Sequence, residues 1–117
     1  MRYMFIWKPD HLPQGMPSPD EIAAMHGLIE DMKKAGVLVA TEGFAPSSAA
    51  DAILRRVNGK LSVTDGPFAE TKELIAGFCI VDVKSKVEAI SWGERFLKIA
   101  GDGVSEMRLM YEQPPSS

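Results

Sequence analysis

The chain has 117 residues, of which 45% are hydrophobic and 25% are charged, and this balance predicts one globular domain rather than a disordered chain. The formal net charge is −3 and the basic residues are dispersed along the sequence, which disfavours a nucleic-acid-binding face. The chain has one cysteine and no apolar run approaching the roughly 20 residues of a membrane span, so we expect a cytoplasmic protein without an intramolecular disulfide.

The first predicted elements are a strand, a helix and a second strand. Residues 3–7, "YMFIW", are apolar on both faces of a strand and form a run too short for a signal-peptide core. Ser18 and Glu21 predict a capped helix start, and Gly36 predicts the helix end. Residues 37–44 are predicted to be the second strand. Apolar residues recur at helical spacing between the two helix ends: Ile22, Met25, Leu28, Ile29 and Met32.

The middle of the chain predicts a β-hairpin. Residues 52–57 and 60–65 are strand-like runs joined by Asn58 and Gly59, and Asn-Gly between two such runs is a strong hairpin signal. Residues 74–83, "LIAGFCIVDV", then form a near-continuous apolar strand. Ser85 with Glu88 predicts a second capped helix that extends to about residue 98, and residues 104–111 alternate as a last strand.

This order of elements predicts a ferredoxin-like α+β fold, with both helices on one face of an antiparallel sheet. The domain is expected to cover residues 1–112, and residues 113–117 are expected to be a flexible tail. Two helices cover one face of a four-stranded sheet, yet strands 3–7 and 74–83 are apolar on both faces. The simplest cover for the second face is the same face of another copy, so we expect a homodimer through the sheet.

The loop of residues 65–73, "DGPFAETKE", starts with residues that suit a turn. Asp65 accepts backbone hydrogen bonds at the start of turns, Gly66 tolerates positive φ and Pro67 fixes its own φ. Phe68 is then expected to fill the edge of the core. This structural interpretation of the first four residues is favoured over a direct chemical role.

The second half of the same loop carries two carboxylates, a hydroxyl and an amine on Glu70, Thr71, Lys72 and Glu73. In the functional interpretation they form a charged rim around a cleft between sheet and helix, where a glutamate moves protons and Lys72 holds an anionic group. In the alternative, the charged residues form solvated or dimer-bridging ion pairs of little energy. Both interpretations stay open.

His26 is the acid–base candidate of the first helix, because histidine titrates near neutrality. It lies on the flank of the apolar stripe and one turn before Glu30, which favours a surface pair between these two residues. Cys79, inside an apolar strand, is expected to be a small buried hydrophobe rather than a nucleophile.

The remaining aromatic residues and the histidine count also favour plain interpretations. Trp7, Trp92 and Phe96 are expected to be core or interface residues rather than ligand-stacking residues. Two histidines and one cysteine without ligand spacing argue against a metal site, and no glycine-rich phosphate loop is present. We therefore expect no metal and no cofactor.

The motif "DGPFAETKE", with "RYMFIW" at the start, "MKKAGVLVATEGFAPSS" in mid-chain and "LIAGF" behind the motif, resembles the DGPF group of the YCII-related family. The resemblance implies a dimeric α+β barrel of ferredoxin-like halves. Some relatives are similar to small isomerases and dehydrochlorinases that act on ring compounds, and the YCII branch carries a histidine–aspartate pair. That pair implies His26 and Asp65 here. DGPF proteins also often accompany alternative sigma factors.

Three functions follow from these observations. The first is a cofactor-free isomerase or lyase that transfers protons, with His26, Asp65 or Glu70 as acid and base and a small organic acid or aromatic compound as substrate. The second is a regulatory or interaction module, linked to a sigma factor. The third is a protein that binds a small metabolite without transforming it; an open apolar pocket favours the first or third, and a packed interior the second.

Overall fold

Strands and helices alternate in the predicted order in the computed structural model, which describes residues 1–11, 16–44, 51–66 and 74–112. The elements are β1 (Arg2–Pro9), α1 (Pro19–Lys34), β2 (Leu38–Gly43), β3 (Ala52–Val57), β4 (Lys60–Asp65), β5 (Gly77–Asp82), α2 (Lys86–Ala100) and β6 (Gly103–Leu109). The fold is therefore α+β, as the sequence predicts. No helix in these four ranges is long and apolar enough to cross a membrane.

Four strands form one antiparallel sheet in the order β2-β5-β1-β6. β1 and β5 are the two central strands of this sheet. They are also the two strands whose sequences are apolar on both faces, which is typical of strands in the middle of a sheet. β3 and β4 form a separate two-stranded sheet. β5 begins at Gly77 and not at Leu74 as predicted. Residues 74–76 are half-buried, and the backbone N–H of Ala76 donates to the carbonyl of Trp7, 2.8 Å away.

The two helices begin at the predicted caps. The Ser18 side chain accepts a hydrogen bond from the N–H of Glu21 (3.1 Å), and the Ser85 side chain accepts one from Glu88 (3.2 Å). The Glu88 carboxylate in turn accepts from the N–H of Lys84, which is one residue before the cap. These bonds satisfy N–H groups that the first helical turn leaves without a partner.

The β3–β4 hairpin turns at the predicted dipeptide. Asn58 has φ 51° and Gly59 has φ 79°, and two consecutive positive φ values are the geometry of a type I′ turn. On one face of the hairpin Leu54 pairs with Val63, and Leu61 lies beside them; all three side chains are well exposed.

The core lies between the sheet and the two helices. Tyr3 and Phe5 of β1 and Val81 of β5 point from the same face of the sheet, because Tyr3 and Val81 are directly opposed and Phe5 is two residues from Tyr3. They pack with residues of both helices, so both helices cover this one face, called the helix face here. The buried residues of the core are Tyr3, Phe5, Leu28, Met32, Val37, Val81, Val83 and Ala89.

The opposite face of the sheet, called the open face, carries the intervening residues. Met4 and Ile6 of β1 oppose Ile80 and Phe78 of β5, and all four are half-buried. At one side of this apolar centre, the Glu106 carboxylate pairs with Lys8 (3.1 Å) and with Arg108. The hydrogen bond from Arg108, assisted by Lys8, lowers the pKa of Glu106. An apolar centre with charged groups at its edge is typical of an interface.

Candidate functional site

A cavity of about 240 Å³ lies between the helix face of the sheet and the two helices. It is bounded by side chains and backbone from β1, β2, β5, β6, α1 and α2. Its lining is mostly apolar, which is typical of small-molecule sites. The residues that line it are Phe5, Trp7, Met25, Leu28, Ile29, Met32, Leu38, Thr41, Glu42, Gly43, Ala76, Gly77, Phe78, Cys79, Trp92, Gly93, Phe96 and Ser105.

Aromatic rings form much of the cavity wall. Trp7, at the end of β1, meets Phe96 of α2 edge to face, with ring centroids 5.3 Å apart and an interplanar angle of 81°. This geometry is a favourable one for aromatic pairs because the positive ring edge meets the negative ring face. Trp7 and Phe96 were predicted to be core or interface residues. They do pack against neighbouring side chains, but they also face the cavity.

A β-bulge in β2 decides which of its side chains face the cavity. Leu38 opposes Val81, but Ala40 opposes Ile80, so Val39 is the extra residue. Without a bulge, alternation from Leu38 would place Ala40 on the helix face. Because the extra residue reverses the alternation, Thr41 opposes Cys79 on the helix face instead. The bulge therefore brings a hydroxyl to the cavity where regular pairing would bring a methyl group.

Cys79 lines the cavity, and its thiol stays protonated near neutral pH. Burial raises its pKa, and a side-chain hydrogen bond with Thr41 only partly opposes this effect. A thiol must ionise to act as a nucleophile, so this environment disfavours nucleophilic chemistry. Cys79 was predicted to be a small buried hydrophobe rather than a nucleophile; in the structure it is half-buried, and its raised pKa agrees with the second part of this prediction.

Ser105 of β6 is a second hydroxyl-bearing residue of the cavity lining. It is directly opposite Trp7 of β1, on the helix face. Its Oγ is buried and has no hydrogen-bond partner among the described residues. Buried polar atoms without a partner are uncommon in folded proteins and call for an explanation.

The helix side of the cavity is formed by apolar side chains of α1 and by Trp92 of α2. Trp92 is held by a chain of contacts that joins the two helices. The guanidinium of Arg95 lies 5.1 Å from the centre of the Trp92 ring, and its Nη2 donates to the Asp31 carboxylate of α1 at 2.7 Å. The cation–π contact and the ion pair together fix the position of this wall.

Two glycines allow the close approaches that shape the cavity. A Cβ at Gly77 would lie 2.5 Å from the carbonyl oxygen of Glu42, across the β2–β5 pair. A Cβ at Gly93 would lie 2.8 Å from Cε1 of Phe5, between α2 and β1. Both distances are shorter than real Cβ contacts, so each position requires glycine for its present packing.

The sequence-predicted site residues are distributed over several parts of the chain. His26 is exposed on α1 beside the cavity-lining Met25 and does not line the cavity itself. The expected His26–Glu30 ion pair is not among the ion pairs of the described residues, and Glu30 lies near Lys33 instead, 3.9 Å away.

Asp65 is exposed at the end of β4, and the N–H of Gly66 donates to the Asp51 carbonyl at the base of the hairpin. The structure does not bring Asp65 to the cavity lining. The other predicted site residues lie outside the described residues, and their roles stay predictions: Pro67, Phe68, Glu70, Thr71, Lys72 and Glu73.

Sequence reasoning missed Thr41 and Ser105 as cavity residues. Because Ser105 and Met107 are two residues apart in the last strand, the sequence pattern could have placed them on the same face. It could not have shown that this face borders a cavity at Ser105. Thr41 could not have been found, since a bulge leaves no reliable local signal. Within the described ranges, no group of three or more His, Cys, Asp or Glu residues could hold a metal ion.

Two comparisons relate the chain to known proteins. The sequence model of the YCII-related domain matches residues 1–112 of the chain. A curated protein of Rhizobium meliloti (strain 1021), described as uncharacterised, is 44% identical over 59 residues. The aligned part is 50% of this chain and 47% of that protein, so the match covers about half of each.

Proposed function

The chain belongs to the YCII-related domain family, and from this premise we propose that it binds a small, largely apolar molecule in the cavity between the sheet and the helices. The observation that carries the proposal is the cavity itself, which is lined mostly by aromatic and aliphatic side chains between the sheet and the helices. Protein interiors are close-packed, so an apolar space of this size needs a reason.

The size of the cavity limits the size of the ligand. An engineered apolar cavity of roughly 150 Å³ binds one benzene molecule. The present cavity, about 240 Å³, therefore suits one ring with a few substituents, or an aliphatic compound of similar size.

The proposal is tested by calorimetric titration of the full chain with p-cresol, a one-ring probe. Binding is expected for the wild-type protein, and Met25→Trp, which places a larger side chain in the cavity wall, is expected to weaken it at least tenfold, by about 1.4 kcal/mol. Met16→Trp is the matched control, because Met16 is 89% exposed. If p-cresol and a panel of similar one-ring compounds all fail to bind, or if both variants bind equally well, the proposed function is wrong.

A second candidate function is proton transfer on such a ligand by an isomerase or lyase. It is favoured by one observation: Ala76, which lines the cavity, follows the last residue of the DGPFAETKE motif by three positions along the chain.

In this version the acid and the base are drawn from His26 and Asp65, the pair that the family resemblance implies, and from Glu70. Neither His26 nor Asp65 lines the cavity, so the reacting part of the ligand would have to extend beyond the described lining. A bell-shaped dependence of rate on pH is expected, and it should lose one limb when the acting group is replaced. A profile that survives replacement of all three residues would exclude them as the acid and base.

We also propose that the domain is ferredoxin-like and dimerises through its open face. The strand order β2-β5-β1-β6 with two helices on one face supports this arrangement. The apolar pairs on the open face would be covered by the same pairs of a second copy.

Light scattering after size exclusion is expected to give twice the 12.8 kDa of one chain for the wild type. Ile6→Lys, at the centre of the open face, should give one chain mass. The control Val87→Lys, at a position of α2 that is 76% exposed, should remain a dimer. A dimer that tolerates Ile6→Lys would place the interface elsewhere.

A further inference from the structure

We propose that Ser105 is the polar anchor of the cavity, and that the ligand is a neutral, ring-sized compound whose hydroxyl or carbonyl group hydrogen-bonds to the Ser105 side chain. The inference rests on the proposed binding function and specifies the chemistry of that site. It assigns a role to a residue that neither the sequence motifs nor the family resemblance singles out.

The first support is the state of the Ser105 hydroxyl. Its Oγ is buried and has no partner among the described residues, while the residue itself lines the cavity opposite Trp7. A ligand in the cavity therefore reaches this hydroxyl when the serine side chain turns about χ1 to another staggered rotamer. Leaving a buried hydroxyl unpaired is unfavourable, so a serine at this position is explained best by a partner that arrives with the ligand. A hydroxyl donates one hydrogen bond and accepts others, so it can pair with an alcohol, a phenol or a carbonyl.

The second support is that the other described hydroxyl of the lining is already engaged. The Thr41 hydroxyl donates to the carbonyl of Phe78 at 3.2 Å, and it also shares a hydrogen bond with the Cys79 thiol. Its proton is therefore used within the protein. Ser105 keeps its full hydrogen-bonding capacity for a ligand.

The third support concerns charge. Among the described residues that line the cavity there is no lysine, arginine or histidine. These residues offer a buried anion no opposite charge, and burial without a paired charge is costly. The raised pKa of Cys79 reports the same property of this environment, since burial there disfavours the ionised thiol. A neutral ligand is expected for these reasons.

The experiment compares three probes that share one methyl-substituted ring: p-cresol with a hydroxyl, toluene without one, and 4-methylbenzoate with a larger, charged carboxylate. Dissociation constants are measured for the full-length wild type, for Ser105→Ala, and for the control Ser62→Ala, which removes an exposed hydroxyl from β4. The decisive quantity is the ratio of the toluene to the p-cresol dissociation constant. Comparing this ratio between the wild type and a variant cancels the different solvation of the two free probes, because that difference is the same for every variant.

Ser105→Ala is expected to lower this ratio about two- to tenfold, the range of one net hydrogen bond, while toluene binding stays unchanged. Ser62→Ala should leave both constants as in the wild type. 4-Methylbenzoate is expected to bind at least tenfold more weakly than p-cresol. Without ligand, Ser105→Ala should melt at the same or a higher temperature than the wild type, since it removes an unpaired buried hydroxyl.

Two results would overturn the inference while leaving the binding function intact. One is toluene and p-cresol binding with an unchanged ratio in Ser105→Ala. The other is a preference for the carboxylate probe, which would mean that a cation faces the cavity. If none of the three probes binds the wild type, the proposed function itself fails, and the inference fails with it.

Discussion

Two helical glycines offer the same chemical change in opposite surroundings, which makes Gly27→Ala and Gly93→Ala a sharp test of the packing. A Cβ on Gly27 of α1 would meet nothing within 4 Å. Alanine is favoured over glycine in a helix by about 1 kcal/mol, so Gly27→Ala should raise the free energy of unfolding by about that amount. For a domain of this size the melting temperature should rise by about 3–6 °C.

At Gly93 the same gain is opposed by a clash. The new Cβ would lie 2.8 Å from Cε1 of Phe5, 3.5 Å from its Cδ1 and 3.6 Å from its Cζ, so the ring must move. Overpacking of a core costs about 1–3 kcal/mol. After the helical gain of about 1 kcal/mol is subtracted, Gly93→Ala should lower the free energy of unfolding by about 0–2 kcal/mol.

Urea unfolding followed by circular dichroism measures both changes on the same chain. The two variants should differ by about 1–3 kcal/mol, with Gly27→Ala the more stable. Gly93→Ala should also weaken probe binding, since Phe5 and Gly93 both line the cavity. Equal stabilisation by the two substitutions would refute the close packing of α2 against β1.

Three further predictions test other contacts. Asp31→Asn should lower the free energy of unfolding by up to about 1 kcal/mol, because it breaks the ion pair with Arg95. In a chain whose other tryptophan is replaced by Phe, the same substitution should change the fluorescence of Trp92, over which Arg95 lies. Iodoacetamide at pH 8 should alkylate Cys79 at least about tenfold more slowly in the folded chain than in urea. Because burial raises the pKa of Cys79 above its ordinary 9.0, the stability that depends on the protonated thiol is complete below pH 9.0 and is lost as the pH rises beyond 9.0. Gly59→Ala should destabilise the hairpin by about 1 kcal/mol, measured by amide exchange in β3 and β4, because φ at this position is 79°. Unchanged tryptophan fluorescence, equal alkylation rates or unchanged exchange would contradict these three statements in turn.

Short-range patterns were enough to predict the elements of this fold. Ser18 and Ser85 cap their helices as expected, and Asn58 with Gly59 turns the hairpin as expected. Each of these features depends on residues at most a few positions apart, so the local sequence contains the information. The apolar stripe of α1 likewise predicted Leu28 and Met32 as buried residues.

The boundaries of β5 were less predictable. Residues 74–76 are as apolar as the strand that follows, so composition could not separate them from it. In the structure they connect the ends of β1 and β2, with Ala76 bonded to Trp7 and to Phe44. Half-buried apolar segments and strands share the same sequence pattern.

The sequence by itself therefore determined the order of the elements, their caps and turn, and the motif that resembles the YCII-related family. Only the tertiary structure decided which side chains meet in the cavity. Thr41 reaches Cys79 through a bulge, Ser105 lies opposite Trp7, and Gly93 admits the ring of Phe5. The physical reason is that these contacts join residues tens of positions apart, and they depend on strand register and on helix packing, which no local pattern specifies.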